Sequence, residues 1–232
     1  MISGVSSGIG LELAQLALNE NFEVYGVSLT ENNWLSVRQL LGNPSSLHLY
    51  TCDVSNYDKV KAFIGTVVEG EGKIDLLINN AGYIDSGYRL EELPNEEFER
   101  NIAVNLNSVF YMCKEALPYM KDQEALIINV SSNAGKRAVP KIAAYSAAKF
   151  GVVALSQSIA KENLETGPIC YCVCPGGTNT PMRQKIFGDA DQQQSATFVA
   201  EQIFKLLDTD IPSGSDIVVR HSKVAVNLVP GI

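Results

Sequence analysis

Short apolar segments alternate with longer amphipathic segments along almost the whole chain, and this alternation restricts the fold more than any other feature. The pattern predicts strands at residues 22–29, 46–52, 74–79, 125–130, 169–174 and 216–219. It predicts helices at 55–69, at 94–120 as one long helix, at 143–164 and at 195–207. Because the strands are mostly apolar throughout, we expect both of their faces to be buried, as in a parallel sheet. The predicted fold is α/β, a doubly wound and mostly seven-stranded parallel sheet with helices on both faces.

The N-terminus of the chain departs from this alternation of strands and helices. A doubly wound fold usually begins with a full strand, but only Met1, Ile2 and Ser3 precede the first glycine. Three residues span roughly 10 Å, little more than half a typical strand. We therefore expect either a stunted first strand or a natural start upstream of Met1, and we favour the second interpretation. The segments leave no linker or repeat, so we expect a single domain over residues 1–232.

The charge of the chain limits its partners. The sequence has 26 acidic and 18 basic residues, which gives a formal net charge of -8. Such a chain repels nucleic-acid phosphates and anionic lipids, so nucleic acids and membrane surfaces are disfavoured. Its apolar runs are too short to cross a bilayer and its first residues do not form a signal peptide, which indicates a cytoplasmic location.

The cysteines and histidines do not form a recognisable metal or disulfide pattern. The five cysteines include no Cys-x-x-Cys pair, and Cys170, Cys172 and Cys174 are predicted to lie buried on one face of a strand. The two histidines, His48 and His221, have no neighbours at metal-ligand spacing. We therefore expect no metal, and a Ser-His-Asp hydrolase is disfavoured.

A glycine-rich loop opens the first predicted helix. Gly4, Gly8 and Gly10 follow a Gly-x-x-x-Gly-x-Gly pattern, which lets the backbone approach a pyrophosphate while the helix N-terminus supplies free N–H donors. Such a turn also occurs for purely structural reasons. The Gly-Lys-Ser/Thr sequence of a P-loop is missing.

A tyrosine and a lysine share one face of a predicted helix. Tyr145 and Lys149 are four residues apart, so the ammonium is expected to lower the pKa of the phenol and make it an acid or base near neutrality. Ser132 precedes Tyr145 by thirteen residues, at the end of a predicted strand. A second Tyr-x-x-x-Lys at Tyr57 has Pro44 at the corresponding position, so we interpret that copy as chance.

These motifs together resemble the short-chain dehydrogenase/reductase family over residues 2–219. The chain is similar to the short, single-domain branch that includes 3-oxoacyl-carrier-protein reductases and carbonyl reductases. The matching motifs are residues 3–10, 52–54, 79–82, 105–106, Ser132, 145–149 and 175–176. The resemblance implies a Rossmann-like fold and NAD(P)-dependent hydride transfer between a nicotinamide and a carbonyl or alcohol carbon.

The resemblance also implies four catalytic residues. Tyr145 would protonate the carbonyl oxygen, or act as the base in the reverse direction, and Lys149 would lower its pKa and hold the nicotinamide ribose. Ser132 would donate a hydrogen bond to the substrate oxygen. Asn105 would hold a water that links Lys149 to solvent. The sequence alone also allows Ser132 to be a strand-end cap and Asn105 a polar residue satisfied by backbone groups.

The cofactor residues implied by the resemblance are spread along the chain. They are Gly4, Ser6, Ser7, Gly8, Ile9, Gly10, Ser28, Leu29, Asp53, Val54, Asn80, Ala81, Gly82, Tyr145, Lys149, Pro175, Gly176, Thr178 and Thr180. Asp53 and Val54 would contact adenine, and Thr180 would lie near the pyrophosphate. Alternatively, Asp53 caps the helix that begins near Ser55.

Several positions differ from the family pattern. After the second strand, Ser28, Leu29 and Thr30 include neither the acid typical of NAD-preferring members nor a base for a 2′-phosphate, and this favours NADP(H). Tyr171 stands where an Asn is usual. The polar segment at 183–194 is predicted to be a loop or short lid, which suggests an open site or a small substrate.

Two functions remain in competition. The first is an NAD(P)-dependent enzyme acting on a small carbonyl or alcohol. The second is a non-catalytic dinucleotide-binding protein, a redox sensor or structural subunit on the same fold. An epimerase or dehydratase of the extended branch would need a second lobe, which 232 residues cannot supply. By analogy with the family, we expect a homodimer or homotetramer formed through the two long helices.

Overall fold

The apolar segments form one large sheet in the computed structural model, which describes residues 1–32, 34–120, 125–188, 193–220 and 223–228. Its strands are β1 (Ile2–Ser3), β2 (Val24–Ser28), β3 (Leu47–Thr51), β4 (Leu76–Asn79), β5 (Leu126–Val130), β6 (Ile169–Pro175), β9 (Asp216–Arg220) and β10 (Lys223–Asn227). Two short strands, β7 (Thr178–Asn179) and β8 (Gln194–Ser195), form a separate small sheet.

The strand order confirms the predicted topology. Across the sheet the order is β3-β2-β1-β4-β5-β6-β9-β10, and all neighbours are parallel except β9 and β10. The seven parallel strands match the prediction, whereas β10 is an antiparallel addition that the sequence pattern did not predict. The chain changes direction across the sheet between β1 and β4, so a crevice opens there beyond the carboxyl ends of the strands.

Helices cover both faces of the sheet. They are α1 (Gly8–Asn19), α2 (Trp34–Leu40), α3 (Tyr57–Glu71), α4 (Asn95–Ile102), α5 (Ser108–Ala116), α6 (Ala143–Glu162), α7 (Pro181–Phe187) and α8 (Ala196–Phe204). The core on one face joins α3, α5 and α6, and the core on the other joins α1, α2 and α8. Every residue of β5 is buried, as a strand covered on both faces requires.

Alternation along β6 confirms the prediction for the cysteines. Cys170, Cys172 and Cys174 pack into the core on the side of α3, α5 and α6, while Tyr171 and Val173 pack into the opposite core. All five cysteines are buried free thiols. They behave as small apolar side chains.

The first strand is as short as the sequence suggests. Ile2 and Ser3 pair with Gly26 and Val27 of β2, and Ile2 also pairs with Ile78 of β4. Two residues are therefore enough to join the two halves of the sheet, because their backbone groups are used on both sides.

The predicted long helix at 94–120 is helical but not a single α-helix. A π-helical turn at Ala103–Asn107 separates α4 from α5, and a 3-10 turn follows at Leu117–Tyr119. The Ser108 N–H bonds the Ala103 carbonyl, five residues back, while the Ser108 hydroxyl donates to the Val104 carbonyl at 2.6 Å. Sequence periodicity cannot distinguish such a widened turn from an α-helix.

One further prediction needs correction. The segment at 183–194 was expected to be a loop, but α7 covers its first part because Thr180 caps the helix and Pro181 occupies its first position. Residues 189–192 of that segment lie outside the described residues, as does His221. His48 lies on β3 and pairs with Glu23 at 2.9 Å. Among the described residues, no helix combines the length and apolarity needed to cross a membrane.

Candidate active site

The glycine loop lies between β1 and α1, at the crevice where the strand order reverses. Gly4 and Gly8 have φ angles of 75° and 57°, a region that L residues rarely adopt. A Cβ on Gly10 would lie 2.1 Å from the Gly4 carbonyl oxygen, so this glycine lets α1 pack against the loop. The Ser7 side chain does not cap α1, which leaves the helix N-terminus available to an anion.

A cavity of about 280 Å³, which we call the glycine-loop cavity, lies beside this loop. Of the predicted cofactor residues it is lined by Gly4, Ser6, Ser7, Gly8, Ile9, Ser28, Leu29, Asp53, Val54, Asn80, Ala81, Gly82 and Thr180. Gly10 is not among its lining residues, because that glycine lies beneath the loop. The sequence therefore predicted most of this cavity from four separate motifs.

Asn80 connects the two halves of the crevice. Its side-chain Nδ2 donates to the Ser3 carbonyl at 3.0 Å and to the Gly4 carbonyl at 3.3 Å. The Ser3 hydroxyl in turn accepts from the backbone N–H groups of Asn80 and Ala81, both at 3.0 Å. The loops after β1 and β4 are thus held together by side chains that also line or adjoin the cavity.

Asp53 has a local structural partner besides its place in the cavity. Its Oδ1 accepts from the backbone N–H of Ser55 at 3.0 Å and from the Ser55 hydroxyl at 2.6 Å. Helix α3 is capped by Asn56, whose side chain accepts from the Lys59 N–H. Asp53 therefore stabilises the turn before the helix rather than capping the helix itself.

A second cavity of about 340 Å³, the tyrosine cavity, contains the predicted chemical groups. It is lined by Ser132, Tyr145, Lys149, Pro175, Gly176, Thr178 and Thr180. It shares Ile9, Asn80, Gly82, Thr180 and Met182 with the glycine-loop cavity, so the two spaces adjoin. Helix α6 supplies Tyr145 and Lys149, and the end of β5 leads into Ser132.

Tyr145 and Ser132 both line this cavity. Burial raises the pKa of the Tyr145 phenol, while the Ser132 hydroxyl and the nearby Arg183 guanidinium act to lower it. The Ser132 hydroxyl also accepts from the Ala134 N–H at 3.1 Å, as the cap of a 3-10 turn at Asn133–Gly135. The net direction of the Tyr145 pKa shift is therefore opposite to the one expected from the Tyr145–Lys149 spacing, because burial outweighs the favourable groups.

Lys149 is a buried cation. Its Nζ donates to the Val130 carbonyl at 2.9 Å and lies 5.7 Å from the centre of the Tyr145 ring. Only 3% of the residue is exposed, and desolvation lowers the pKa of the ammonium to about 8. Lys149 is consequently close to its own titration point at neutral pH.

Asn105 lies outside both cavity linings and is fully buried in the π-helical turn. Its Oδ1 accepts from the Tyr83 N–H, and its Nδ2 donates to the Tyr83 carbonyl and to the Asn101 carbonyl. The side chain is thus satisfied by backbone groups, as one of the two interpretations of the sequence proposed. Asn105 and Lys149 approach the same space beside Gly82, where an added Cβ would lie 3.2 Å from Asn105 Oδ1 and 3.9 Å from Lys149 Nζ.

Sequence reasoning missed several lining residues. Arg183, Met182 and Phe187 come from α7, and Arg137 follows the 3-10 turn after Ser132. In the other cavity, the Arg100 guanidinium lies 4.2 Å from the centre of the Tyr83 ring. The Thr180-Pro181 pair, a capping residue followed by a proline, is the sequence signal that could have located α7.

Comparison with known proteins identifies the family. The model of the short chain dehydrogenases matches residues 1–191. The chain belongs to this family. Over 190 residues it is 35% identical to a 3β-hydroxysteroid dehydrogenase of Mediterraneibacter gnavus, covering 82% of this chain and 69% of that protein. Over 188 residues it is 34% identical to the 3-oxoacyl-acyl-carrier-protein reductase of Thermotoga maritima, covering 80% and 76%.

Solved structures of the family agree with this fold. The actinorhodin polyketide ketoreductase with NADPH superimposes with a TM-score of 0.84 at 27% identity, over 95% of this chain and 94% of that one. The 3-ketoacyl-acyl-carrier-protein reductase of Brucella melitensis with NADH has a TM-score of 0.86 at 23% identity, over 95% and 96%. This short-chain dehydrogenase is therefore an NAD(P)-dependent oxidoreductase, and the non-catalytic alternative is not supported.

The residues present fit such a cofactor. The uncapped N-terminus of α1 offers N–H donors for a pyrophosphate, and Gly4 and Gly8 leave the loop without side chains at that point. A Cβ on Gly8 would lie 3.1 Å from Thr180, so the space is narrow on that side. Among the described residues, no group of three or more metal-ligating side chains occurs.

Proposed function

We propose that this enzyme interconverts a ketone and a secondary alcohol, with Tyr145 as the general acid in reduction and the base in oxidation. The observation that carries the proposal is that Tyr145 and Ser132 line one cavity, which adjoins the glycine-loop cavity. A bound nicotinamide supplies or accepts the hydride. The chain itself supplies two hydroxyl groups at one point, where a carbonyl oxygen can receive both of them.

The protonation states support action in the direction of reduction. Because burial raises the pKa of Tyr145, its phenol is protonated at neutral pH and can donate a proton to the developing alkoxide. Ser132 donates a second hydrogen bond to the same oxygen, and Lys149 places a positive charge below it. We assign to Asn105 a positioning role, since its side chain bonds both the N–H and the carbonyl of Tyr83. Its Oδ1 accepts only that one hydrogen bond from the described residues, and the second lone pair would hold the water that links Lys149 to solvent.

We propose that the cofactor extends across both cavities. Its pyrophosphate meets the loop formed by Gly4, Ser6, Ser7, Gly8, Ile9 and Gly10, with Thr180 on the opposite side. The adenosine part lies against Ser28, Leu29, Asp53, Val54, Asn80, Ala81 and Gly82. The nicotinamide end lies near Tyr145, Lys149, Pro175, Gly176 and Thr178. Thr178 would act through its backbone, because its hydroxyl already donates to the Gly176 carbonyl at 3.0 Å.

NADP(H) is the cofactor we favour. Ser28 and Leu29 occupy the position after β2, and neither carries the negative charge that would repel a 2′-phosphate. Arg100 adds a cation to the lining of the same cavity. Titration of the protein with NADPH and with NADH, followed by nucleotide fluorescence, tests the preference.

The substrate carbon skeleton is proposed to be apolar near the carbonyl. Ile84, Val139 and Ile142 line the tyrosine cavity and pack into a cluster with Tyr145. The names of the two relatives above refer to a hydroxysteroid and to a 3-oxoacyl group, both of which carry an oxygen on an otherwise apolar skeleton. We propose only this shared chemistry for the present enzyme.

The Tyr145→Phe variant tests the proposal. We expect reduction of a ketone panel by NADPH to fall by about two to four orders of magnitude, which is the usual contribution of a positioned acid. Tyr57→Phe is the matched control, because Tyr57 belongs to the second Tyr-x-x-x-Lys pattern and bonds Glu115 on the protein surface. Normal turnover by Tyr145→Phe would refute the mechanism.

Three broader features are part of the same proposal. The enzyme would act as one domain in the cytoplasm, as a homodimer or homotetramer built through α4, α5 and α6. Phe110 and Phe150 on these helices are 45% and 44% exposed and would be covered in such an interface. Sedimentation at micromolar concentration tests the assembly, and a monomer would contradict it.

A further inference from the structure

The tyrosine cavity has an unusual charge for so acidic a protein. Among its described lining residues are three cationic side chains, Arg137, Arg183 and Lys149, and no acidic one. Lys149 is directed to the Val130 carbonyl, but the two arginines face the cavity without a role in the proposed proton transfer. Cationic side chains therefore lie together where a substrate would bind, although the chain has a net charge of -8.

Arg183 is the most constrained of the three. It lies in the first turn of α7, and its guanidinium packs 3.1 Å from the position of a Cβ on Gly177 and 4.7 Å from the centre of the Phe187 ring. Its Nε is buried and has no hydrogen-bond partner among the described residues. Within those residues it also forms no ion pair with a carboxylate. A buried donor of a charged group normally has a partner, so this one is available to a ligand.

Arg183 is also close to the reacting centre. Its charge acts on the Tyr145 hydroxyl, and both residues line the tyrosine cavity. It does not line the glycine-loop cavity, where the cofactor phosphates are proposed to lie. The guanidinium is therefore placed to meet a group on the substrate rather than the pyrophosphate.

We propose that Arg183 binds a carboxylate carried by the ketone substrate, a few bonds from the carbonyl that Tyr145 protonates. This inference rests on the proposed function and refines its substrate class to an oxo acid with an apolar chain. A planar guanidinium matches a carboxylate in charge and geometry. The apolar wall formed by Ile84, Val139 and Ile142 accommodates the rest of the chain.

Matched substrates test the inference directly. We would measure kcat/KM with NADPH for 4-oxo-, 5-oxo- and 6-oxooctanoate and for their methyl esters, which differ only in the charge. The wild-type enzyme should prefer the best acid over its ester by about tenfold or more, as expected for a hydrogen bond to a charged group. Arg183→Gln should bring that ratio close to one, and Arg183→Lys should retain part of it.

Arg38→Gln is the control for a change in overall charge. Arg38 lies on α2, bonds Asn43 at 3.2 Å and lines neither cavity, so its removal should leave the acid-to-ester ratio at the wild-type value.

A binding measurement that needs no turnover accompanies the kinetics. Calorimetry with octanoate should show binding about tenfold weaker in Arg183→Gln than in the wild type, whereas binding of 1-octanol should be alike in both.

The outcomes separate this inference from the proposed function. If the wild type treats acids and esters alike, or if Arg183→Gln lowers both equally, Arg183 does not recognise a carboxylate. If Arg183→Gln raises the KM for NADPH and leaves the ratio unchanged, the residue binds the cofactor instead. If the esters are reduced without dependence on Tyr145, the proposed function fails, and the octanoate titration still decides the role of Arg183.

Discussion

Asn105 holds the backbone of Tyr83 by two hydrogen bonds, one in each direction. Its Oδ1 accepts from the Tyr83 N–H at 3.0 Å, and its Nδ2 donates to the Tyr83 carbonyl at 2.7 Å. The π-helical turn that contains Asn105 is thereby fixed to the loop after β4, which carries Asn80 and Gly82 at the boundary of the two cavities. A residue of the proposed catalytic set thus acts first as a structural link between α4, α5 and the crevice.

Replacement of Asn105 should therefore reduce stability as well as activity. Asn105→Ala would leave the part-buried Tyr83 N–H and carbonyl unpaired and remove a fully buried amide, and we expect a loss of about 2 to 4 kcal/mol in the free energy of unfolding. Urea denaturation at pH 7 measures it. Asn95→Ala, at the exposed start of α4, is the control and should stay within about 0.5 kcal/mol of wild type. A change below 1 kcal/mol in Asn105→Ala would show that the Asn105–Tyr83 pair contributes little.

Two adjacent serines should give opposite results. Ser132 lines the tyrosine cavity together with Tyr145, whereas the Ser131 hydroxyl donates to the backbone carbonyl of Lys149 at 2.8 Å. Ser132→Ala should lower kcat by about a hundredfold to a thousandfold, because it removes a donor to the substrate oxygen. Ser131→Ala should lower the unfolding free energy by about 1 to 2 kcal/mol and change kcat far less. Steady-state kinetics and thermal melts on both variants distinguish the two roles. An equal loss of kcat in both variants would contradict the assignment of Ser132 as the donor to the substrate oxygen.

The parts of the fold that follow local periodicity could be predicted from the sequence. The fully apolar β5 and the alternating cysteines of β6 lie where the pattern indicates, because burial on two faces leaves few alternatives. The π-helical turn could not be predicted, since Asn105 is drawn out of α-helical register by a loop twenty-two residues away in sequence. Antiparallel β10 was also missed, because Val224, Ala225 and Val226 are exposed on an edge strand, where burial imposes no pattern on the sequence.

In the candidate site, too, some features could be predicted from the sequence and others depend on tertiary packing. Tyr145, Lys149 and Ser132 lie together as their spacing indicates, since one helix and one strand end position all three. The sign of the Tyr145 pKa shift was not accessible from spacing, because it depends on how deeply α6 buries the phenol. Arg183 was missed because its approach to the cavity depends on where α7 packs, which is a tertiary property.

Two glycines in helices provide a contrast in packing. A Cβ on Gly10 of α1 would lie 2.1 Å from the Gly4 carbonyl oxygen and 2.5 Å from Asn80 Nδ2. The Gly4 carbonyl belongs to the backbone, so displacing it costs more free energy than moving a flexible side chain. Gly10→Ala should therefore destabilise the protein by more than about 2 kcal/mol and weaken NADPH binding. Gly65→Ala in α3 has no atom within 4 Å of the new Cβ and should stabilise by about 0.5 to 1 kcal/mol. Destabilisation of similar size in both would refute the role of close packing at Gly10.

The proposed preference for NADP(H) depends on the absence of negative charge after β2. Ser28→Asp places a carboxylate at the end of that strand, in the glycine-loop cavity. We expect kcat/KM with NADPH to fall by about tenfold or more, while the value with NADH is kept or rises, because only NADPH carries the 2′-phosphate. Ser28→Asn is the uncharged control of the same size. An equal effect of both substitutions on both nucleotides would exclude charge as the cause.

The burial of Lys149 predicts a specific dependence of stability on pH. Desolvation lowers the pKa of its ammonium from 10.5 to about 8, so the unfolded chain binds more protons between these values and stability rises with pH across that window. Below pH 8 the full penalty applies, about 3 kcal/mol. Lys149→Met lacks this penalty. Its stability advantage over wild type should therefore shrink by about 2 to 3 kcal/mol between pH 7 and pH 10.5.

The comparison of wild type with Lys149→Met cancels the titration of every group that does not interact with Lys149, which is why the difference is the quantity to measure. Urea denaturation at half-unit pH intervals gives it directly. Lys61→Met, on the exposed side of α3 in the second Tyr-x-x-x-Lys pattern, is the control and should give a difference that stays flat with pH. Parallel stability curves for wild type and Lys149→Met would mean that the ammonium is not desolvated in the folded enzyme, and its assigned place beneath Tyr145 would then have to be abandoned.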